Sequence, residues 1–230
     1  MAGNSGRGKT ERLRKSKGRK ESSTRWLKRQ LSDPYVARAR DEGLRSRAAF
    51  KLIEMDDKFH FLKPGGRIVD LGSSPGGWTM IAADRVNAQG ANKGKQGRVI
   101  GMDLSETDPV PGAVLICHDF MDDDAPRLLK DALKGPADVV LSDMAAQATG
   151  HAGTDHLRVL GLLETAFEFA CEVLSPGGTF IGKAFKGGTE AELLARIKKR
   201  FKTVKHAKPP SSRKESAETY VVAQGFRKEP

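Results

Sequence analysis

Everything else in the chain has to accommodate residues 67–78, Arg-Ile-Val-Asp-Leu-Gly-Ser-Ser-Pro-Gly-Gly-Trp. Ile68, Val69 and Leu71 form a short apolar run that reads as a buried strand. A Gly/Ser/Pro turn follows at once, and a helix can start by Trp78 and run to about Val86. A strand–glycine turn–helix unit is how α/β proteins seat a nucleotide-like ligand: glycine lets backbone approach the ligand, and the strand opens into a crevice at its carboxyl end. The glycines here are Gly72, Gly76 and Gly77, which is not the dinucleotide spacing G-x-G-x-x-G. A pyrophosphate cradle is therefore disfavoured, and a nicotinamide-dependent oxidoreductase with it.

The remaining sequence repeats this unit. Helical patterns are expected at 34–43, where Pro34 suits a first turn, and at 46–59. Strands are expected at 67–72, 98–102, 113–117, 138–141, 179–185, 201–206 and 219–223. Helices at 76–86, 124–134, 155–174 and 189–200 fall among them. Strands alternating with helices predict a mainly parallel, doubly wound sheet with helices on both faces. The last two strands are joined by residues 207–217, which show no helical pattern, so a hairpin is expected there and with it one antiparallel strand.

Charge is segregated along the chain. Residues 1–30 hold eleven Lys/Arg against Glu11 and Glu21, and residues 196–214 hold nine Lys/Arg and no acid, while the stretch between is net negative. Such segregation points to a polyanionic partner. Residues 1–24 lack apolar periodicity and are expected to be a disordered basic tail, leaving 25–230 as one folded domain. The chain shows no secretory h-region and no apolar run of membrane-spanning length. Cys117 and Cys171, without a CxxC, are expected to be reduced core thiols of a cytoplasmic protein. His118, His151 and His156 are too scattered to suggest a metal, and none is expected.

Four strands end at or near an acid: Asp70, Asp103, Asp119 and Asp143. An acid closing the second strand, as Asp103 does, can hold ribose hydroxyls. Four carboxylates along one edge suit a cationic, nucleoside-containing ligand. S-adenosylmethionine, with a ribose and a sulfonium charge, fits that description better than NAD does. Lys183 lies inside the apolar run Phe180-Ile-Gly-Lys-Ala-Phe185, where an unpaired charge is costly, so a carboxylate partner such as Asp143 or Glu218 is implied.

Five ordered blocks resemble one family. They are Gly43-Leu-Arg-Ser-Arg-Ala-Ala-Phe-Lys-Leu52, Val69-Asp-Leu-Gly-Ser-Ser-Pro-Gly-Gly-Trp78, Leu141-Ser-Asp-Met-Ala145, Gly178-Thr-Phe-Ile-Gly-Lys-Ala-Phe185, and Pro210-Ser-Ser-Arg213 with Glu218-Thr-Tyr-Val-Val-Ala223. Together they resemble the FtsJ/RlmE-type ribosomal RNA 2′-O-methyltransferases, over Ser23 to about Phe226. The resemblance implies a Rossmann-like class I methyltransferase fold with a seven-stranded sheet in which strands 4, 5 and 7 are neighbours. It implies S-adenosylmethionine as cofactor, with Gly76, Trp78, Asp103, Asp119 and Asp143 binding it. It implies a catalytic set of Lys51, Asp143, Lys183 and Glu218, with Lys183 as the base. The implied substrate is a uridine in the A-loop of 23S large-subunit rRNA, presented on the 50S subunit to a monomeric enzyme. Ser73-Ser74 and Ala146-Gln147 depart from the family's usual residues at those points.

The reaction so implied needs a ribose 2′-hydroxyl aligned with the transferred methyl, and a group to take its proton. A lysine accepts a proton only as the neutral amine. Burial and the nearby Lys51 favour that form of Lys183, while Asp143 and Glu218 favour the cation. On the RNA side, Arg45, Arg47, Lys51, Arg213 and Lys214 are candidates for phosphate contacts, and Trp26, Tyr35, Phe50 and Tyr220 for base stacking. A relative acting on tRNA, and a non-catalytic RNA-binding factor on the same fold, are the alternative readings.

Overall fold

The computed structural model describes residues 32–146, 149–186 and 191–228. The expected basic tail at 1–24 and the stacking candidate Trp26 lie outside the described residues. Helices α1 (Pro34–Asp41) and α2 (Ala48–Phe59) precede strand β1 (Arg67–Leu71). There follow α3 (Gly77–Arg85), β2 (Arg98–Asp103), β3 (Ala113–Cys117), α4 (Ala125–Leu133) and β4 (Ala137–Ser142). The chain closes with α5 (Ala152–Val173), β5 (Leu174–Phe185), α6 (Ala191–Arg200), β6 (Phe201–Ala207) and β7 (Glu218–Phe226).

The strands form one seven-stranded sheet in the order β3-β2-β1-β4-β5-β7-β6. The pairings from β3 through to β5 are parallel, and β7 runs antiparallel to both β5 and β6. The expected mainly parallel sheet and hairpin are both present. Sheet order reverses at β1, which lies between β2 and β4, so a crevice opens at the carboxyl ends of β1 and β4. That switch point is where doubly wound sheets bind ligands.

Alternation along the strands divides the core in two. Ile68, Val99, Val139, Leu141, Ile181 and Val222 face Leu52 and Met55 of α2 and Trp78 and Ala82 of α3. Val69, Ile100, Val140, Phe180 and Val221 face Leu129 of α4, Leu163 and Phe167 of α5, and Ile197 of α6. Helices therefore cover both faces, which is why the central strands read as continuous apolar runs. Full withdrawal of each such side chain from water contributes about 1.5–3 kcal/mol. The helix ends follow local rules. Asp33 caps α1 by accepting the Tyr35 N–H at 3.1 Å, with Pro34 in the first turn. His60 closes α2 in the left-handed region at φ 55°.

Four expectations need correction. β5 begins at Leu174 rather than at the expected residue 179, and so takes in Pro176-Gly177-Gly178. Gly177 at φ +86° and a register shift between Ala137 and Val139 accommodate the irregularity. The helix expected from residue 155 begins instead at Ala152, and Leu157 within it faces solvent. Cys117 is exposed, because β3 is an edge strand with only partial cover, so it is not a core thiol, whereas Cys171 is half-buried and packs against the core. Asp70 does not stand at the strand edge. It is buried beneath it on the α3 face and accepts the Thr79 hydroxyl at 2.6 Å. Among the described residues, no helix is long and apolar enough to cross a membrane.

Candidate active site

The carboxyl ends of β4 and β5 and the amino end of the antiparallel β7 bring four distant residues together, with a fifth among them. Lys183 lies on β5 opposite Tyr220 of β7, and Glu218 begins β7. Asp143 directly follows β4, and its N–H donates to Leu71 O at 3.1 Å, which fixes it beside β1. Lys51 reaches in from α2. The Lys183 Nζ donates to the Asp143 backbone carbonyl at 2.7 Å and lies 2.9 Å from Asp143 Oδ1. The Tyr220 hydroxyl donates to Asp143 Oδ1 at 2.7 Å and accepts from Lys51 Nζ at 3.1 Å. Lys51 Nζ pairs with Glu218 Oε1 at 2.7 Å, and that oxygen also accepts from Ser212 Oγ at 3.2 Å. The result is one continuous polar chain: Lys183–Asp143–Tyr220–Lys51–Glu218. The paired partner that Lys183 needed is Asp143, while Glu218 serves Lys51.

Two lysines and two carboxylates balance in charge here, and the electrostatics follow from burial. Burial pushes the Asp143 carboxyl up, but the charges of Lys183 and Lys51 and the bonds from Lys183 and Tyr220 outweigh it and hold it below the usual carboxylate range. Burial, with the adjoining Asp143 and Glu218, holds the Tyr220 phenol well above its usual range, so it remains a neutral donor. Tyr220 is the residue that sequence reasoning missed. It was considered only for stacking on bases, yet its ring is fully buried against Trp78 at 5.5 Å. No local pattern signalled it, because β5 and β7 are not consecutive strands and their pairing alone sets Tyr220 opposite Lys183. Tyr220→Phe keeps the ring and removes the bridge. It is expected to cost about 1–3 kcal/mol of stability and to raise the Asp143 titration point, as thermal unfolding and carboxyl NMR would register.

The second half of the site is a cavity of about 450 Å³ on the β2–β3 side. Its wall includes Gly72, Asp103, Leu104, Asp119, Met121 and Met144. Backbone amides aim both acids. Asp103 accepts the Ser74 and Ser105 N–H groups at 3.0 and 2.8 Å, and Asp119 accepts the Met121 N–H at 2.9 Å. Each carboxylate retains lone pairs for a ligand hydroxyl or amine. Gly72, at φ +78°, joins the two halves: a Cβ there would stand 2.8 Å from the Met144 backbone nitrogen, next to Asp143.

Other candidates are placed elsewhere. Gly76 and Trp78 are not among the residues lining this cavity. Gly76 opens α3 at φ +100°, under the Arg45 side chain. Trp78 is a core residue whose indole N–H donates to Ala48 O at 2.8 Å. Arg45 donates to the carbonyls of Asp108 and Pro109, both at 2.5 Å, and so ties a loop rather than projecting freely. Arg47 pairs with Asp33 at 3.1 Å and donates to Ser211 O, while Arg213 lies 3.4 Å from the same Asp33. Phe50 is buried, with Tyr35 packed on it at 5.5 Å, whereas Lys214 is exposed. His118 has close acidic neighbours that its isolation in sequence hid. Its Nε2 lies 2.8 Å from Asp124 and 3.6 Å from Asp122 beside the start of α4, and His118 itself, half-buried, does line the cavity.

A Rossmann-like sheet with β7 inserted antiparallel between β5 and β6, and a ligand crevice at its switch point, defines a class I methyltransferase. The family model for FtsJ-like methyltransferases matches residues 44–226, and this chain belongs to that family. The "Ribosomal RNA large subunit methyltransferase E" of Paramagnetospirillum magneticum is 61% identical over 218 residues, covering 95% of this chain and 88% of that protein. The protein of the same name from Rhodospirillum rubrum is also 61% identical, covering 94% and 81%. Among solved structures, one from Plasmodium falciparum described as "a ribosomal RNA methyltransferase, putative" superposes with a TM-score of 0.70 at 31% identity, over 80% of this chain and all of that one. The resemblance drawn from the five sequence blocks is thus borne out at the level of family, fold and methyltransferase activity.

Proposed function

We propose that this protein methylates the ribose 2′-hydroxyl of a uridine in large-subunit rRNA, in the A-loop of the assembled subunit, using S-adenosylmethionine. The observation that carries the reading is the unbroken chain from Lys183 to Glu218, set beside a cavity at the sheet's switch point. The names of the relatives supply the class of RNA.

The cavity suits the cofactor on chemical grounds. Asp103 and Asp119 offer acceptors for ribose hydroxyls and amines, Leu104 and Met121 offer apolar surface for a purine, and the acids around Asp70 favour a cation. When bound there, S-adenosylmethionine supplies an electrophilic methyl on sulfonium. Gly76 and Trp78 contribute through the turn and the helix that frame the cavity, not through its wall.

Lys183 is the group that handles the hydroxyl proton. Its two acceptors, the Asp143 carbonyl and Oδ1, engage two of its N–H groups, so that once the third proton is lost the freed lone pair can take the 2′-hydroxyl proton. Asp143 fixes that amine in place, while Lys51, held by Glu218 and Tyr220, offers its positive charge close by. The test is transfer of labelled methyl from S-adenosylmethionine to free large-subunit rRNA, assembled large subunits and tRNA, with the modified nucleotide mapped. One 2′-O-methyluridine in large-subunit rRNA is the expected result. Label confined to tRNA, or carried on a base, would refute the reading.

A further inference from the structure

The sheet edge opposite the candidate active site carries a second charged feature. A groove of about 900 Å³ is formed there by the turn before β1, the loop preceding β2 and the turn after α4. Arg67, Lys95, Arg98 and Lys134 line it, and among the described residues no acid does. Arg67, Lys95 and Lys134 are exposed, and among the described residues none of their side chains has an ion pair or hydrogen bond. Two of these cations are seated on glycine turns. A Cβ on Gly65, at φ +85°, would stand 2.6 Å from Lys95 Cβ, and one on Gly135, at φ +144°, would stand 3.3 Å from Arg67 Cζ. An adjoining cavity shares Lys95 and adds Lys63 and His60; its acid, Asp138, accepts the Arg67 backbone N–H at 2.9 Å.

We propose that this groove binds the phosphate backbone of the substrate RNA at a point remote from the nucleotide being modified. The inference rests on the RNA reading above and extends it. Four cations with no acid among them form a site for a polyanion, and the glycine turns leave the space that the Lys95 and Arg67 side chains occupy at its wall. A concave groove excludes a flat anionic membrane, and its lining is too charged for an apolar protein partner. β1 spans five residues at about 3.3 Å each, so the groove lies roughly 15–20 Å from the carboxyl edge. A short RNA filling the active site does not reach it, whereas a large folded RNA can bridge both edges.

The double variant Lys95→Glu/Lys134→Glu tests this, because both side chains are exposed and unbonded among the described residues; an unchanged Tm checks the fold. Affinity is measured against salt for full-length large-subunit rRNA and for a short hairpin carrying the target uridine. For the long RNA, affinity is expected to fall roughly tenfold, with a salt slope smaller by about 2. For the hairpin, affinity and methylation at saturating RNA are expected to stay unchanged. Unchanged affinity for the long RNA, or an equal loss on both RNAs, overturns the proposal. Loss of binding to an acidic ribosomal protein with rRNA affinity intact also overturns it, in favour of a protein partner. If the wild type methylates no rRNA but the difference in long-RNA affinity persists, the ribosomal substrate fails while the groove's RNA contact stands.

Discussion

Lys183→Ala is expected to lower the rate of methyl transfer by about 10²–10⁴-fold and to leave the affinity for S-adenosylmethionine within a few-fold of wild type. The two effects separate because the site is divided. Lys183 sits with Asp143 and Tyr220 on the β5–β7 side, whereas the cavity wall is built from Gly72, Asp103, Asp119 and their neighbours on the β2–β3 side. Calorimetric titration of the cofactor and single-turnover transfer of labelled methyl would measure both. Lys183→Arg distinguishes the two ways in which this lysine can act. Arginine keeps the positive charge but does not give up a proton at any working pH. If Lys183 takes the hydroxyl proton, the arginine variant is as inactive as the alanine one. Substantial turnover in the arginine variant would show instead that the lysine orients the hydroxyl as a cation. Wild-type turnover in the alanine variant would remove Lys183 from the chemistry altogether.

Asp70→Asn is expected to stabilise the fold increasingly as pH rises. Burial pushes the Asp70 carboxyl from its ordinary 3.8 up to about 7, the Thr79 hydroxyl opposes this, and Asp143 and Asp103 add to it. Its Oδ1 has no hydrogen-bond partner among the described residues. Between those two pH values the folded chain keeps the proton and the unfolded chain releases it. Stability is therefore lost as pH climbs from about 3.8 to about 7, by up to about 4 kcal/mol, with the full loss present above that window. Asparagine carries no charge to confine. Urea unfolding of both proteins at pH 4 and pH 8 should show the variant's relative stability larger at pH 8 by several kcal/mol. Equal differences at the two pH values would mean that Asp70 carries its charge in the fold without penalty.

Much of this site could be read before any coordinates. Lys183 announced itself because a charge inside Phe180–Phe185 requires a partner, and Asp103 and Asp143 because acids at strand ends gather along one edge of a parallel sheet. Lys51 was reached only through the family resemblance, since a lysine on an amphipathic helix ordinarily faces water. Tyr220 escaped because a tyrosine in an alternating strand reads as core, which it is. Its hydroxyl acquires a role only once β7 pairs with β5 and α2 docks above them. Arg45 and Arg47 looked like free cations because their acceptors lie 63 and 164 residues away, chiefly as backbone carbonyls that no side-chain pattern betrays. Asp70 and Asp103 look alike as acids at strand ends. The difference between them is depth, which depends on how far α3 covers the strand.

The placement of Lys183 and Tyr220 in register on adjacent strands also decides who adapts to whom. Both belong to the interior of the sheet, flanked by β4 on one side and β6 on the other, so releasing them means taking the fold apart. The enzyme therefore offers a fixed anvil, and on the proposed 2′-hydroxyl chemistry the conformational work of methylation falls on the RNA, which must swing its ribose out to meet it. Catalytic efficiency then depends on how readily the target nucleotide leaves its own stack, and a loosened RNA loop should speed the reaction where a loosened protein would not.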